Sequence, residues 1–220
     1  MNSICINSSD INSNDMAFYG KYLPIMESAA AKLADTVDLI RMMLKSSYRR
    51  DCIEYCTMRI KSSESMKEKL TARGYDPTPE NAMHKVRDAV GMRIICKYAD
   101  DVYTIADTIR NIGGMSIITE KDYIANPKPN GYRSYHMIVQ LPVGVNLVFA
   151  EIQIRTIAMD CWASLEHGLK YKNDAGEIRM ISEELKRCAD EMASTDMNLL
   201  TIRELVYGEG QGQGKDSKIS

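Results

Sequence analysis

The spacing of apolar residues changes twice along this chain, and those changes restrict the folds available to it. Between residues 16 and 48 apolar side chains recur every three or four positions, which predicts a long amphipathic helix. The same spacing predicts a second helix over residues 50–72, which ends before Gly74. From residue 90 the spacing falls towards two, the period of a β-strand, and from residue 156 it becomes helical again. This order predicts helices that flank a mixed sheet.

The same pattern places the strands and the later helices. Strands are expected at VGMRIICKY, MSIITEKDY, YRSYHMIVQLP and NLVFAEIQI, which are residues 90–98, 115–123, 132–142 and 146–154. Helices are expected from Asp100 or Asp101 to about Asn111, from 156 to about 171, and from 182 to 207. The Asn/Ser-rich residues 1–15 and the low-complexity residues 208–220 are expected to be disordered. One α/β or α+β domain is therefore expected over residues 16–207.

Composition and charge exclude several classes of protein. The formal net charge of −2 lacks the basic excess of proteins that bind nucleic acid over a whole surface. No apolar run approaches the roughly 18 residues that span a membrane, and the N-terminus has no features of a secretory signal. The six cysteines form no CxxC pair and are expected to be reduced, buried thiols. A cytoplasmic protein without a membrane segment is expected.

The segment EIQIRT, residues 151–156, places charged side chains on a predicted strand. Alternation directs Ile152 and Ile154 into the core, and directs Glu151, Gln153 and Arg155 to the opposite face. Burying a carboxylate and a guanidinium is costly, so this face is expected either to open on a cleft or to carry a surface ion pair.

The segment NPKPNGYRSYH, which precedes it in the chain, combines a turn with the start of a predicted strand. Gly131 can adopt the positive φ that such a turn needs. Tyr132, Ser134 and His136 would share one face of the strand, beside Lys128. This set suits a nucleotide whose base stacks and whose phosphates need donors, although a single histidine is more often structural.

Basic side chains are concentrated on the helix predicted over residues 50–72. Lys61, Ser65 and Lys69 would form one stripe along it, with Arg59 nearby. A polyphosphate would suit this stripe, and so would plain contact with solvent.

Two carboxylates are candidates for a metal site. Asp88 comes just before the strand that starts at Val90, and it could meet Glu151 across neighbouring strand ends. Two carboxylates beside phosphates are the usual protein ligands of Mg²⁺. The chain contains no Walker loop, GxGxxG motif or zinc-ligand spacing. The residues alone thus indicate a magnesium-dependent nucleotide enzyme without a P-loop.

The motifs RDAVGMRI, NPKPNGYRSYH, EIQIRT and CWASLEHGLKYK, in this order, resemble the RelA/SpoT-type (p)ppGpp synthetase domain. The similarity runs from about Ile53 to Lys172, and the short length resembles the stand-alone small alarmone synthetases. The resemblance implies a nucleotidyltransferase-like mixed sheet of about five strands between N- and C-terminal helices. It also implies a GTP pyrophosphokinase that moves the β,γ-diphosphate of ATP to the 3′-hydroxyl of GDP or GTP.

The resemblance further implies a role for each matching residue. Adenine would lie between Arg59 and Arg93, and the ATP phosphates would contact Lys61, Ser65, Lys69 and His136. Mg²⁺ would be held by Asp88 and Glu151, with Glu151 also serving as general base. The guanine nucleotide would be bound by Tyr132 stacking on the base, with Lys128 and Asn130 beside it and Asp160 at a position of guanine contact. Lys121 and Arg155 would either contact the acceptor's phosphates or shape the site.

Some features depart from the family pattern or leave the assembly open. Asp160 stands where related small synthetases often have asparagine, so the resemblance does not fix the acceptor preference. None of His84, His136 and His167 is followed by aspartate, so the hydrolase metal motif of full-length relatives is not expected here. The resemblance implies a tetramer formed through the terminal helices. Their methionines, Met26, Met42, Met43, Met180, Met192 and Met197, would suit either such contacts or an ordinary core.

Other functions remain possible at this level. A toxin-like relative would transfer pyrophosphate to the 3′ end of tRNA or make adenosine alarmones. An inactive regulator would only bind nucleotide or RNA, and a pppGpp-regulated enzyme would bind its product at a second site.

Overall fold

A six-stranded mixed sheet lies at the centre of the molecule in the computed structural model, which describes residues 5–6, 11–170 and 178–208. Its strand order is β1-β2-β3-β6-β5-β4. The strands are β1 (Cys5–Ile6), β2 (Ile53–Ile60), β3 (Val90–Cys96), β4 (Ser116–Asp122), β5 (Tyr135–Val143) and β6 (Asn146–Thr156). The helices are α1 (Ser13–Tyr19), α2 (Leu23–Tyr48), α3 (Ser63–Ala72), α4 (Pro79–His84), α5 (Ala99–Asn111), α6 (Ile157–Lys170) and α7 (Ile178–Gly208). The α+β architecture and the sheet of about five strands that the resemblance implied are confirmed, as are the four strands expected from the pattern, β3 to β6; β1 adds a short edge.

The sheet combines parallel and antiparallel pairs, which fix which residues are neighbours. The central pair β3 and β6 is parallel, whereas β5 and β4 continue the sheet in antiparallel pairs. On the other side, β2 is antiparallel to β3 and β1 is parallel to β2. The two central strands therefore run in the same direction and begin at the same end of the sheet.

The hydrophobic core lies on one face of this sheet, under α2 and α5. The inward side of α2 buries apolar side chains at helical spacing, including Met26, Leu33, Val37 and Ile40. These pack with alternate residues of the strands, such as Met58, Met92, Met137, Ile152 and Ile154. Met26 is thus a core residue, the second of the two interpretations that the sequence left open for it.

The helix predicted over residues 50–72 is wrong in its first half, which forms strand β2. Cys56 and Met58 are buried, whereas Tyr55 and Arg59 are exposed, which is the alternation of a strand. The apolar residues of this short segment also fit helical spacing, and only pairing with β3 decides between the two. The helix begins instead at Ser63, where the Ser62 side chain accepts a hydrogen bond from Ser65 N.

The N-terminal helix is divided and starts earlier than expected. Helix α1 is separated from α2 by a 3₁₀ turn at Gly20–Tyr22, where Gly20 has a φ of 50°. Asn12 and Asp15 form a capping box at the start of α1, so residues 11–15 are part of the folded domain. The disorder expected for residues 1–4, 7–10 and 209–220 concerns positions outside the described residues.

Two smaller expectations can also be compared with the structure. Cys52, Cys56 and Cys96 are buried free thiols as expected, but Cys161 is exposed. Within the described part of the chain, no helix is long and apolar enough to cross a membrane.

Candidate active site

The sheet face opposite α2 and α5 carries polar side chains from five strands. Residues aligned across neighbouring strands point to the same face, as do residues two positions apart in one strand. One aligned row, from β2, β3 and β6, consists of Arg59, Gly91 and Glu151. The next row, from β3, β6, β5 and β4, consists of Arg93, Gln153, His136 and Lys121. Five residues expected in the site therefore share one face.

Glu151 is held by neighbours on both of its carboxylate oxygens. Its Oε1 lies 3.2 Å from His136 Nδ1, and its Oε2 accepts a 2.8 Å hydrogen bond from Gln153 Nε2. Burial raises the pKa of Glu151, but hydrogen bonds from His136 and Gln153 and the charges of His136 and Lys69 outweigh it and lower the pKa to about 2. The carboxylate is therefore ionised at neutral pH.

Tyr132 lies between His136 and Arg155. Its hydroxyl accepts a 2.7 Å hydrogen bond from an Arg155 NH2 group and lies 2.7 Å from His136 Nε2. Over its ring lie Lys128 Nζ, 4.7 Å from the centroid, and the Arg155 guanidinium, 5.2 Å from it. Tyr132 precedes β5 rather than belonging to it, so the strand expected from residue 132 starts three residues too early. The hydroxyl nevertheless reaches His136 as the shared face predicted.

Ser134 does not belong to the open face. It is fully buried, and its hydroxyl donates a 3.3 Å hydrogen bond to the Ile154 carbonyl. The expectation that Ser134 lies beside Tyr132 and His136 in a cleft is therefore wrong.

The loop that carries Tyr132 is fastened to both C-terminal helices. Asn130 Nδ2 donates a 2.9 Å hydrogen bond to Glu166 of α6. Arg133 NH2 donates one of 2.9 Å to Asp190 of α7. Gly131 has a φ of 90°, and a Cβ added there would lie 2.6 Å from Ala189 Cβ, so the loop approaches α7 as closely as glycine permits.

Arg155 is buried instead of facing a cleft. Only 5% of it is exposed, and its guanidinium contacts Tyr132, Gln153 and Asp160. Asp160, in the first turn of α6, is 7% exposed. The alternation in EIQIRT therefore predicted correctly which face of the sheet Arg155 lies on. The side chain is nevertheless buried beneath the site rather than exposed in a cleft.

A second group of charges surrounds Asp88. Lys69 Nζ donates a 2.6 Å hydrogen bond to Asp88 Oδ2, and Lys61 Nζ lies 3.3 Å from the same oxygen. Lys61 lies before α3, so the expected single helical stripe with Ser65 is wrong, although the two lysines do converge. The charge of Lys69 also contributes to the lowered pKa of Glu151.

The carboxylates fit the ligand set that magnesium prefers. Asp88 Oδ1 is buried and has no hydrogen-bond partner, so one oxygen is left for a cation. Among the described residues, no cluster of three or more His, Cys, Asp or Glu side chains could hold a metal. Mg²⁺ usually needs only one or two carboxylates, because water and substrate phosphates complete its shell.

Several residues of the site were not foreseen from the sequence. Tyr55 donates a 2.9 Å hydrogen bond to Asp160, and Tyr123 packs edge-on against His136. Gln153 was expected on this face, but its hydrogen bond to Glu151 was not. Trp162 lies beside Tyr132. Tyr55 and Arg59 are four residues apart in β2 and therefore point to the same face. Predicting β2 as a strand would have placed Tyr55 on the face of the site.

Comparison with known proteins identifies related sequences and structures. A family model described as the region found in RelA / SpoT proteins matches residues 58–176. The GTP pyrophosphokinase YwaC of Bacillus subtilis is 41% identical over 158 residues, which are 70% of this chain and 75% of YwaC.

Solved structures of small alarmone synthetase 1 from Bacillus subtilis have the same fold. One, bound to its product pppGpp, is 30% identical with a TM-score of 0.75, over 86% of this chain and 97% of that one. Another, bound to AMPCPP, is 27% identical with a TM-score of 0.69, over 86% and 97%. The family match over more than half of the chain, together with these relatives, shows that the chain belongs to the RelA/SpoT family.

Proposed function

We propose that this chain is a pyrophosphokinase that transfers the β,γ-diphosphate of ATP to the 3′-hydroxyl of GDP or GTP. AMP is released, ppGpp or pppGpp is formed, and the product is not hydrolysed. One observation carries the proposal: Glu151, His136 and Tyr132 contact one another on the open face of the sheet, and the Lys61–Lys69–Asp88 group lies at the start of β3, whose Gly91 pairs with Glu151. Relatives named GTP pyrophosphokinase support it, as does the synthetase bound to pppGpp.

The donor would bind at the end of the face formed by β2, β3 and α3. Arg59 and Arg93 would stack on adenine, because guanidinium planes pack well on aromatic rings. Lys61, Lys69 and His136 would contact the phosphates, with Ser65 at the start of α3. The two lysines now neutralise Asp88, and phosphates would offer them stronger partners.

The acceptor would bind at the end formed by β4, β5 and the loop. Guanine would stack on Tyr132, and Lys128 would have to leave the face of that ring if the base entered on its side. Asn130 would lie next to the base. Lys121, exposed on β4 beside His136, would reach the acceptor's phosphates.

Magnesium would be held by Asp88 and Glu151. When bound, it would neutralise charge on the transferred phosphates. This proposal is supported by the partnerless oxygen of Asp88 and by the ionised Glu151.

Glu151 would also accept the proton of the 3′-hydroxyl. A pKa of about 2 makes it a weak base. Transfer of a phosphoryl group nevertheless passes through a loose transition state, so the hydroxyl loses its proton late, when it is already acidic. Positioning and charge neutralisation then supply most of the rate.

An assay of acceptor scope tests the proposal. The protein is incubated with γ-labelled ATP, Mg²⁺ and one of GDP, GTP, excess ATP or deacylated tRNA, and the products are resolved. Label should appear on the guanine nucleotides. Label only on tRNA or adenine nucleotides would support the toxin-like alternative, and nucleotide binding without transfer would support an inactive regulator.

We further propose that the enzyme is a cytoplasmic homotetramer built through its terminal helices. Met42 and Met43 of α2 and Met180 and Met197 of α7 are exposed, as such contacts require. Mass measurement in solution tests this assembly. Regulation by RNA or pppGpp is a further proposal, tested by adding either ligand to the assay.

A further inference from the structure

Asp160 is engaged by three protein groups. Its Oδ1 lies 3.0 Å from Arg155 NH1 and 3.1 Å from Arg93 NH1, and its Oδ2 accepts a 2.9 Å hydrogen bond from the Tyr55 hydroxyl. The residue is more than nine-tenths buried. Both of its oxygens are therefore occupied by protein groups.

The two arginines that share this carboxylate serve different parts of the proposed site. Arg93 projects beside Arg59, where adenine is expected to stack. Arg155 uses its other terminal nitrogen to hold the Tyr132 hydroxyl at 2.7 Å, where guanine is expected to stack. Asp160 thus connects the donor end to the acceptor end through two ion pairs.

We propose that Asp160 is a positioning residue that sets Arg93 for the donor and Arg155 with Tyr132 for the acceptor, and that it does not read the guanine base. This inference rests on the proposed function, because it assigns the two ends of the site to the two nucleotides. It differs from the expectation that Asp160 contacts guanine directly.

The negative charge of Asp160 offsets the repulsion between the two arginines. Burial and the charge of Arg155 lower the pKa of Arg93, and the Asp160 charge raises it. Without the carboxylate, the two guanidinium groups would repel each other with no negative charge to offset the repulsion. They would separate, and Arg155 would no longer hold Tyr132 in the same place.

The test compares Asp160→Asn with the wild type in steady-state kinetics. A charge-assisted hydrogen bond is lost on each arginine, so the KM for ATP and the KM for GDP should each rise about tenfold. Inosine diphosphate, which lacks the guanine 2-amino group, is the second acceptor. The ratio of KM for GDP and inosine diphosphate should be the same in both proteins.

A direct base contact gives a different result. A carboxylate that accepted hydrogen bonds from guanine N1–H and N2–H₂ would raise only the acceptor KM when replaced, and the preference for GDP over inosine diphosphate would fall. That pattern, or unchanged KM values for both substrates, would overturn the inference.

Further variants separate positioning from folding. Asp160→Glu keeps the charge and should recover part of both KM losses, whereas Asp51→Asn, which removes an ion pair with Arg41 outside the site, should match the wild type. If Asp160→Asn does not fold, Tyr55→Phe provides a second test, because it removes one hydrogen bond from Asp160. The affinity for both substrates should fall about two- to fivefold, since the lost bond contributes roughly half the free energy of a hydrogen bond between two charged groups. A Tyr55→Phe effect confined to one substrate would contradict the inference.

Nucleotide binding without turnover keeps this test separate from the proposed function. Calorimetric affinities for AMPCPP and for GDP should both fall in Asp160→Asn. If the wild type binds both nucleotides but makes no product, the proposed function fails, and the positioning role is still tested by the change in the two affinities. If the wild type makes product and the two affinities of Asp160→Asn are unchanged, only the role of Asp160 fails.

Discussion

At the scale of single residues, the site depends on how neighbours hold a few polar atoms. Glu151 keeps its charge because His136 and Gln153 donate to it, and Tyr132 keeps its place because Arg155 donates to its hydroxyl. The sequence predicted the face that Glu151 occupies, since alternation in EIQIRT is unambiguous. It could not predict that Arg155 is buried, because a buried arginine is tolerated only when a partner such as Asp160 is supplied from elsewhere in the fold.

Glu151→Gln removes the proposed base and one proposed magnesium ligand while preserving size. Turnover should fall at least about 100-fold, the usual contribution of positioned proton transfer, while AMPCPP affinity measured without Mg²⁺ stays near the wild-type value. Glu120→Gln, on β4 outside the site, serves as the matched control and should keep nearly full turnover. Retention of more than about a tenth of the wild-type rate by Glu151→Gln would refute the assigned role.

Tyr132→Ala removes the ring on which guanine is proposed to stack. Acceptor affinity should weaken by roughly 1–3 kcal/mol, the usual value for base–aromatic stacking, and AMPCPP affinity should change little. Titration calorimetry with each nucleotide measures both. Equal losses for the two nucleotides would show that Tyr132 supports the whole site rather than the acceptor.

At the scale of elements, the least predictable segment was β2. Its apolar residues fit a helix and a strand equally well, and pairing with β3, about 35 positions along the chain, decides between them. The strands from β3 to β6 were predictable because they alternate clearly and are separated by turn residues. The convergence of Lys61 with Lys69 on Asp88 depends on the turn between β2 and α3, which the sequence did not indicate.

The close contact between the loop and α7 predicts that a side chain at Gly131 destabilises the fold. Gly131→Ala adds a methyl group 2.6 Å from Ala189 Cβ, so it should destabilise the fold more than Gly144→Ala, which also has positive φ but no atom within 4 Å. The control should cost only the backbone strain of about 1–2 kcal/mol. Thermal and denaturant unfolding of both variants measure the difference.

The partner residue provides a second check on this contact. Ala189→Gly removes the methyl group that Gly131→Ala would meet, so it should destabilise the Gly131→Ala protein less than it destabilises the wild type. Additive effects would indicate that the loop does not press on α7 at this point.

At the scale of the whole molecule, α7 is joined to the end of the sheet by a buried carboxylate. Asp196 accepts a 2.6 Å hydrogen bond from the Thr156 hydroxyl at the end of β6. Burial raises the pKa of Asp196 above its ordinary value of 3.8, and the Thr156 hydrogen bond offsets this only in part. The folded state therefore binds this proton more tightly than the unfolded state does.

This shift predicts how stability depends on pH. The stabilising contribution of protonated Asp196 is complete below its unfolded pKa and is lost as pH rises through the folded pKa. Asp196→Asn removes the buried charge and keeps an oxygen for Thr156, so its melting temperature should exceed that of the wild type at pH 7. The gap should narrow towards pH 4 in thermal unfolding scans. A variant less stable than the wild type at pH 7 would contradict the sign of this shift.

The central claim is that two phosphates move together from ATP to a guanine nucleotide. The most direct measurement is the stoichiometry of products from ATP and GDP with Mg²⁺, resolved by ion-exchange chromatography. One AMP should appear for each ppGpp formed, with no accumulation of ADP and no return of product to GDP. Formation of ADP with a singly phosphorylated acceptor, or of AMP with free pyrophosphate and no ppGpp, would contradict the account.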